Sequence, residues 1–205
     1  MSLFPMFVKL RGRLCVVIGG GTIAAGKVES LLHAEARVRV IAPDLHPSLI
    51  ELAQQHRIEW HGRPYAAGDL EGAFLVIAAT SAPGVNAAVF HEADARGIFC
   101  NSVDDPENCH FYYGSIVRRG DLQIAVSTNG KSPALAQRLR QELESQFGHE
   151  YATWLDWLGA ARELLRASRP NDEANKGTLH HLASRAMFDR FVREAKISRG
   201  KQGVS

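Results

Sequence analysis

The stretch Leu14-Cys15-Val16-Val17-Ile18-Gly19-Gly20-Gly21-Thr22-Ile23-Ala24 decides the fold. Five apolar residues make a short buried strand, and three glycines stop it. From Thr22 to His33 the apolar residues return at helical spacing, at Ile23, Val28 and Leu31/Leu32. Strand, glycine turn and helix in direct succession carry Gly19-x-Gly21-x-x-Ala24, a dinucleotide-binding pattern with Ala in its third slot. The first glycine permits the tight turn, and the second lets the backbone approach a pyrophosphate. The small third residue lets the helix lie close to the sheet. The helix start then offers unpaired N–H groups and the positive end of its dipole to phosphate. Gly19, Gly20, Gly21, Thr22, Ile23 and Ala24 are therefore the first candidate cofactor residues. No glycine stands where this helix should end; Ala34-Glu35-Ala36 leaves its last residue unplaced.

The alternation continues outward from that turn. Val38–Ile41 reads as a second strand ended by Ala42-Pro43, and Ile58-Glu59-Trp60 as a weak third. Phe74–Ala79 is a continuous apolar run, as expected of a parallel strand covered on both faces. Val85–Ala95 reads as a helix and Ile98-Phe99-Cys100 as a fifth strand. This predicts a doubly wound parallel α/β sheet. An acidic residue near the end of strand two usually reads the ribose hydroxyls. Here Ala42-Pro43-Asp44 stands in that place, with no Arg directly after it for a 2′-phosphate, so NAD is expected over NADP.

The rhythm then changes. Ser115-Ile116-Val117 and Leu122–Ser127 flank Arg118-Arg119-Gly120-Asp121, a predicted β-hairpin with the arginines solvated at its tip. Ser132 is a good N-cap and Pro133 suits the first helical position, so a helix is expected from there to about Phe147, with one apolar stripe at Leu135, Leu139, Leu143 and Phe147. A hairpin and one helix are too small to fold alone, which predicts a homodimer. Two further helices are expected, one around Trp154–Leu165 and one over Leu179–Val192, joined by a polar loop over Ser168–Gly177. The expected organisation is a dinucleotide-binding domain at 1–112, a dimerisation element at 113–147, a helical domain at 148–196 and a flexible tail at 197–205.

Composition narrows the classes of function. The 205 residues are 45% hydrophobic and 22% charged, which are globular values. The net charge of +2 excludes a globally basic nucleic-acid binder. No signal peptide is read at the N-terminus, and no run reaches membrane-spanning length, so no membrane association is expected. Cys15, Cys100 and Cys109 form neither a CxxC pair nor a disulfide framework, which fits a reducing, cytoplasmic setting. No Tyr is followed four residues later by Lys, which excludes the short-chain dehydrogenase pattern. No HExxH or other metal pattern is present; His180-His181 point apart on a helix, and His110 beside Cys109 reads first as part of a structural loop.

Several segments together resemble one family. They are Phe4-Pro5-Met6-Phe7 before Leu10-Arg11, the glycine turn with Ala24 and Lys27, and Val40-Ile41-Ala42-Pro43. Then come Ala78-Ala79-Thr80, Val85-Asn86, Phe99-Cys100-Asn101-Ser102-Val103-Asp104, and Ala125-Val126-Ser127-Thr128-Asn129-Gly130-Lys131-Ser132-Pro133-Ala134-Leu135-Ala136. They look like precorrin-2 dehydrogenase, the dehydrogenase and ferrochelatase module of siroheme synthase, over about residues 3–147. The resemblance implies a Rossmann domain, a dimerisation element and a helical C-terminal domain. It implies NAD-dependent oxidation of precorrin-2 to sirohydrochlorin on the route to siroheme or cobalamin. Some members also insert a metal, so ferrous iron or cobalt is a candidate second substrate; the metal-site residues are unassigned. Dinucleotide contacts are implied at Thr22-Ile23 and Pro43-Asp44, with Thr80 added to the set.

The same resemblance ties catalysis to Asp104. Asp104 follows a predicted strand end, where ligands of open α/β sheets bind, and a carboxylate there can take a proton while a hydride leaves toward nicotinamide. Asp105 beside it leaves the assignment open by one residue. Substrate contacts are expected at Asn101, Ser127, Thr128, Lys131 and Ser132, since a polycarboxylate needs cations and N–H donors. Between Tyr113 and Arg140, Arg118, Arg119, Lys131, Arg138 and Arg140 face only Asp121. On this reading the chain is expected to lack the methyltransferase half of fused siroheme synthases. A non-catalytic NAD-sensing module is the rival reading; it would need neither Asp104 nor the Ser127–Lys131 loop.

Overall fold

The computed structural model describes residues 3–202 except 169 and 171, with side chains to 195. The chain divides into two compact units, one ending at Tyr113 and one beginning at Gly114.

The first unit holds β1 (Leu14–Ile18), α1 (Thr22–His33), β2 (Arg37–Ile41), α2 (Pro47–Gln54), β3 (Glu59–His61), β4 (Leu75–Ala78), α3 (Pro83–Ala95) and β5 (Phe99–Ser102). The strands form one sheet in the order β3-β2-β1-β4-β5. Every pairing is parallel, with Val17 level with Val40 on one side and Ile77 on the other. The doubly wound expectation holds. Alternation on β1 shows why both faces are covered. Cys15 and Val17 enter a core with Val28 and Leu31 of α1 and Leu49 of α2. Val16 and Ile18 enter a second core with Val89 and Ala93 of α3. Each buried Val or Leu on these helices contributes about 1.5–3 kcal/mol, far more than helix propensity.

The missing glycine at the end of α1 has a structural answer. Glu35 itself takes the left-handed conformation, at φ 58°. Its N–H donates to Leu32 O, and that of Ala36 to Leu31 O, the two bonds of a Schellman ending. Helix α2 was not anticipated; its signals are Pro47 in the first turn and His46 as cap, whose Nδ1 accepts from Ser48 N at 3.4 Å. β3 also begins one residue later than expected.

The second unit holds β6 (Ser115–Arg119), β7 (Leu122–Val126), α4 (Pro133–Gln146), α5 (Glu150–Ser168), α6 (Ala174–Leu182) and α7 (Arg185–Gln202). The hairpin and α4 form as expected, and Ser132 Oγ accepts from Leu135 N at 3.2 Å. Three expectations change. The segments 113–147 and 148–196 are one compact unit, because Phe147, Tyr151, Trp154 and Phe188 share one aromatic cluster; the Tyr151 and Phe188 rings stack at 4.2 Å. The helix expected over Leu179–Val192 is two helices that break at Ala183-Ser184, where Ser184 Oγ accepts from Met187 N, and α6 begins inside the expected loop. The expected tail is helical through Gln202; residues 203–205 lie outside the described residues. Among the described residues no helix is long and apolar enough to cross a membrane.

Candidate functional site

In the first unit a cleft of about 800 Å³ opens at the C-terminal ends of β1, β2 and β4 and just past β5. This is where the strand order reverses, and it falls within the roughly 300–1,000 Å³ of small-molecule sites. Of the ten expected cofactor residues, Gly19, Gly20, Gly21, Thr22, Ile23, Ala42, Pro43, Asp44 and Thr80 line it. Ala24 does not; it is fully buried in the core that joins α1 to the sheet, so its smallness serves packing.

The three glycines do three different jobs. Gly19 turns the chain at φ 118°, and a β-carbon there would strike the backbone of Ala79. Gly20 has no room for one either, because the Asp44 carbonyl and the side chains of Ala42 and Leu45 fill that space. Its own carbonyl accepts from His46 N at 2.7 Å. Gly21 caps α1 and has nothing within 4 Å of where a β-carbon would point. The first two glycines are demanded by the protein, whereas Gly21 leaves a cradle at a helix N-terminus, which fits a pyrophosphate. The residues present therefore fit a dinucleotide.

The opposite wall is held by Asn86, a buried residue of α3. Its amide brackets Thr80: Oδ1 accepts from Thr80 N at 3.2 Å and from Thr80 Oγ1 at 2.7 Å, and Nδ2 donates to Thr80 O at 3.1 Å. Ser81, Ala82, Pro64 and Tyr65 also line the cleft and stand in none of the motifs read from the sequence; Val85 and Val103 line it too and stand in quoted motifs without a site role. Tyr65 is pinned through its hydroxyl, which donates to Glu92 Oε2. The loop carrying Pro64 and Tyr65 has no periodic pattern that could have announced it.

Asp104 lines the cleft and stands in the left-handed conformation, at φ 60°. Val103 N donates to Ala78 O at 2.9 Å, which ties this turn to the end of β4. Asp105 is engaged elsewhere: its Oδ2 accepts from Asn108 Nδ2 at 2.6 Å, and it opens the 3-10 turn Pro106–Asn108. Asn101 is buried, with its amide nitrogen donating to Phe111 O at 2.8 Å and to Cys109 Sγ at 3.4 Å. His110 is structural: Nδ1 accepts from Cys100 N at 3.1 Å, and Nε2 meets Asp94 at 3.1 Å. No group of three His, Cys, Asp or Glu that could hold a metal occurs among the described residues.

Ser127, Thr128, Lys131 and Ser132 lie in the β7–α4 connection of the second unit. Thr128 Oγ1 donates to Ser132 O at 3.0 Å and accepts from Ser132 N at 3.2 Å. Asn129 and Gly130 are both left-handed, at φ 55° and 75°. The local basic excess is smaller than the sequence suggests. Arg138 and Arg140 pair with Glu142 and Glu144 one turn on. Arg119 is not solvated; its Nε donates to Phe147 O at 2.7 Å and its Nη2 to Glu144 O at 3.1 Å, which closes the end of α4. Lys131 makes no ion pair among the described residues.

Fold and cleft together define a nucleotide-binding α/β domain with a helical appendage. The chain belongs to the family described as "Putative NAD(P)-binding", whose model matches residues 6–115. A second model, sirohaem biosynthesis protein central, matches residues 119–146. Siroheme synthase 1 of Serratia proteamaculans is 42% identical over 171 residues, covering 82% of this chain and 36% of that protein. Siroheme synthase of Methylobacillus flagellatus is 43% identical over 166 residues, with 81% and 36% covered. Siroheme synthase 1 of Yersinia enterocolitica is 36% identical over 206 residues, covering 97% of this chain and 44% of that protein. The chain thus spans less than half the length of these relatives. Among solved structures, SirC, precorrin-2 dehydrogenase, has the same fold, with a TM-score of 0.78, 22% identity, and 95% of this chain and 99% of that one covered.

Proposed function

We propose that this chain oxidises precorrin-2 to sirohydrochlorin with NAD+, in the synthesis of siroheme or cobalamin. The observation that carries the reading is Asp104, a carboxylate fixed in a left-handed turn in the wall of the same cleft as the cradle at Gly21. Such turns cost about 1–2 kcal/mol for an ordinary L-residue and recur at functional sites. Bound NAD+ supplies the two-electron acceptor. Gly21, Thr22 and the start of α1 hold its pyrophosphate, Pro43-Asp44 its ribose, and Thr80, braced by Asn86, the far wall. Asp104 takes the proton that leaves as the substrate loses two electrons. Asn101 acts from behind, holding the strand end from which Asp104 projects.

Ser127, Thr128, Lys131 and Ser132 are proposed to take substrate carboxylates; the ammonium of Lys131, which makes no ion pair among the described residues, supports this. The chain is also proposed to form a homodimer. The reason is no longer the size of the hairpin, which shares its unit with α5–α7, but exposed apolar residues on it and on α4, Ile116 and Leu135, at 38% and 40%. Sedimentation equilibrium tests that.

The test of function is an anaerobic assay with precorrin-2. NADH should appear with NAD+, and NADP+ should serve much less well. Absence of a reduced cofactor with either NAD+ or NADP+, in protein that binds NAD+, would leave the sensing module as the better reading. Adding ferrous iron or cobalt to the product tests whether the chain also inserts a metal.

A further inference from the structure

The loop between β3 and β4 holds neither helix nor strand, yet two nearly buried carboxylates fix it in place. Asp69, inside the loop, has a side chain only 11% exposed and binds Arg63 through both oxygens, at 2.7 and 2.6 Å. Its Oδ2 also accepts from Ala66 N at 2.8 Å. Glu92 of α3, with a side chain 13% exposed, accepts from the Tyr65 hydroxyl. Its two oxygens also accept from Gly68 N, at 3.1 and 3.0 Å, and Arg96 Nε pairs with it at 3.0 Å. Leu70 is fully buried in the core under α3.

Hydrogen bonds to a carboxylate are roughly twice as strong as neutral ones. Arg63, Tyr65, Ala66 and Gly68 are all fixed this way, and the two residues of the loop that line the cleft, Pro64 and Tyr65, lie among them. Burial and the bond to Glu92 push the Tyr65 hydroxyl above its ordinary range, so it stays a donor to that carboxylate. What Tyr65 can offer a ligand is therefore a flat apolar face, with a proline ring beside it. The strand order says which part of the ligand arrives there. β3 is an edge strand beside β2, whose end carries Pro43 and Asp44, while Asp104 follows β5 at the opposite edge. With pyrophosphate at Gly21 and a ribose at Pro43-Asp44, a dinucleotide crossing the cleft points its nicotinamide toward β5 and its purine toward β3.

We infer that the Tyr65 ring, with Pro64 beside it, is the face on which the cofactor's adenine stacks, and that Glu92 is the positioning residue that holds this ring in the cleft wall. The inference rests on the reading of the cleft as an NAD+ site. Bases stack on aromatic faces whatever polar groups their edges carry, so the Tyr65 hydroxyl is free to serve the loop rather than the ligand.

Calorimetric titration of the protein alone tests this with two probes. ADP-ribose carries the base; inorganic pyrophosphate fits only the cradle at Gly21. Tyr65→Leu keeps apolar volume but removes the flat face, so it should weaken ADP-ribose about tenfold and leave pyrophosphate unchanged. Tyr65→Met replaces it where Leu does not fold. Tyr65→Phe keeps the face and should bind ADP-ribose within a few-fold of wild type. Glu92→Ala should lose several-fold for ADP-ribose alone, and Glu92→Gln, which keeps an acceptor for the hydroxyl, should regain most of that. Equal ADP-ribose affinity in wild type and in folded Leu or Met variants overturns the stacking role, even where precorrin-2 is oxidised. Parallel losses for both probes overturn it too, because the variant has then disturbed the cradle. A wild-type protein that binds neither NAD+ nor ADP-ribose overturns the cofactor reading and this inference together. ADP-ribose binding that depends on the Tyr65 ring, in protein that does not oxidise precorrin-2, supports the stacking role and overturns the function proposed above.

Discussion

The carbonyl oxygen of Asp44 occupies the space that a β-carbon on Gly20 would need. The end of β2 is thereby pressed against the glycine turn, and Asp44 is carried to the edge of the cleft. The dinucleotide pattern counts Gly20 among its free positions, yet the structure permits no other residue there. A β-carbon on Gly21, which the pattern does count, would meet nothing within 4 Å.

That contrast gives opposite outcomes for two substitutions. Gly20→Ala should lower stability by about 1–3 kcal/mol, the usual cost of overpacking, and should weaken NAD+ binding because Asp44 must move. Gly21→Asp should unfold at nearly the wild-type temperature but lose NAD+ affinity more than tenfold, since its charge would sit where the pyrophosphate goes. Thermal melts and calorimetric titration read both. A Gly21→Asp variant that binds NAD+ normally would remove the cofactor from this turn.

Asp104→Asn should leave NAD+ binding intact and lower turnover by about 10²–10⁴-fold, the usual loss with a general base. Asn is one of the few residues that accept a left-handed backbone readily, so the turn itself should survive, and the melting temperature reports that. Asp105→Asn should stay within a few-fold of wild type in turnover, because its carboxylate is spent on Asn108. If the two variants exchange phenotypes, the working carboxylate is Asp105.

Burial pushes the Cys15 thiol up to about 11 and the Cys100 thiol up to about 12, from an ordinary 9.0; the charge on Cys109 adds to the second. In the unfolded chain both ionise near 9. Between pH 9 and 10 the unfolded state therefore releases protons that the folded state keeps, so stability falls as pH rises. The decline begins about one unit below the unfolded value, near pH 8, and runs up to the folded values; below about pH 8 these two groups contribute no slope. Denaturant midpoints at pH 8, 9 and 10 should show the decline, and the double variant Cys15→Ala, Cys100→Ala should be flatter. An equal slope in that variant would refute the assignment.

The parallel sheet was legible because its strands are short continuous apolar runs, and β1 and β4 are buried along almost their whole length. The glycine turn was legible because each pattern position answers to a local constraint. The wall formed by Pro64 and Tyr65 was not, since an irregular loop announces nothing about where it folds back. α2 escaped because eight residues give too few turns for a periodic signal. The split between α6 and α7 was hidden because Ser184, which caps the second helix, sits inside an unbroken apolar spacing. Arg119 looked solvated because its acceptors are backbone carbonyls of α4, which sequence spacing cannot place. Sequence alone could not separate Asp104 from Asp105, because it does not show that the first lines the cleft while the second accepts from Asn108.

The last prediction separates two roles of Ser132. Its Oγ caps α4 by accepting from Leu135 N, and the same residue is proposed to meet a substrate carboxylate. Ser132→Ala removes the cap and should cost about 0.5–2 kcal/mol in a denaturant titration. Ser132→Asp keeps a capping oxygen and adds a negative charge that suits the helix start, so stability should match or exceed wild type. Toward a polycarboxylate the same charge is repulsive. With precorrin-2 it should raise KM several-fold while NAD+ affinity stays fixed, and salt should reduce the effect, because exposed charges are screened. An Asp variant that is stable and has an unchanged KM would confine Ser132 to the cap and remove it from the substrate site.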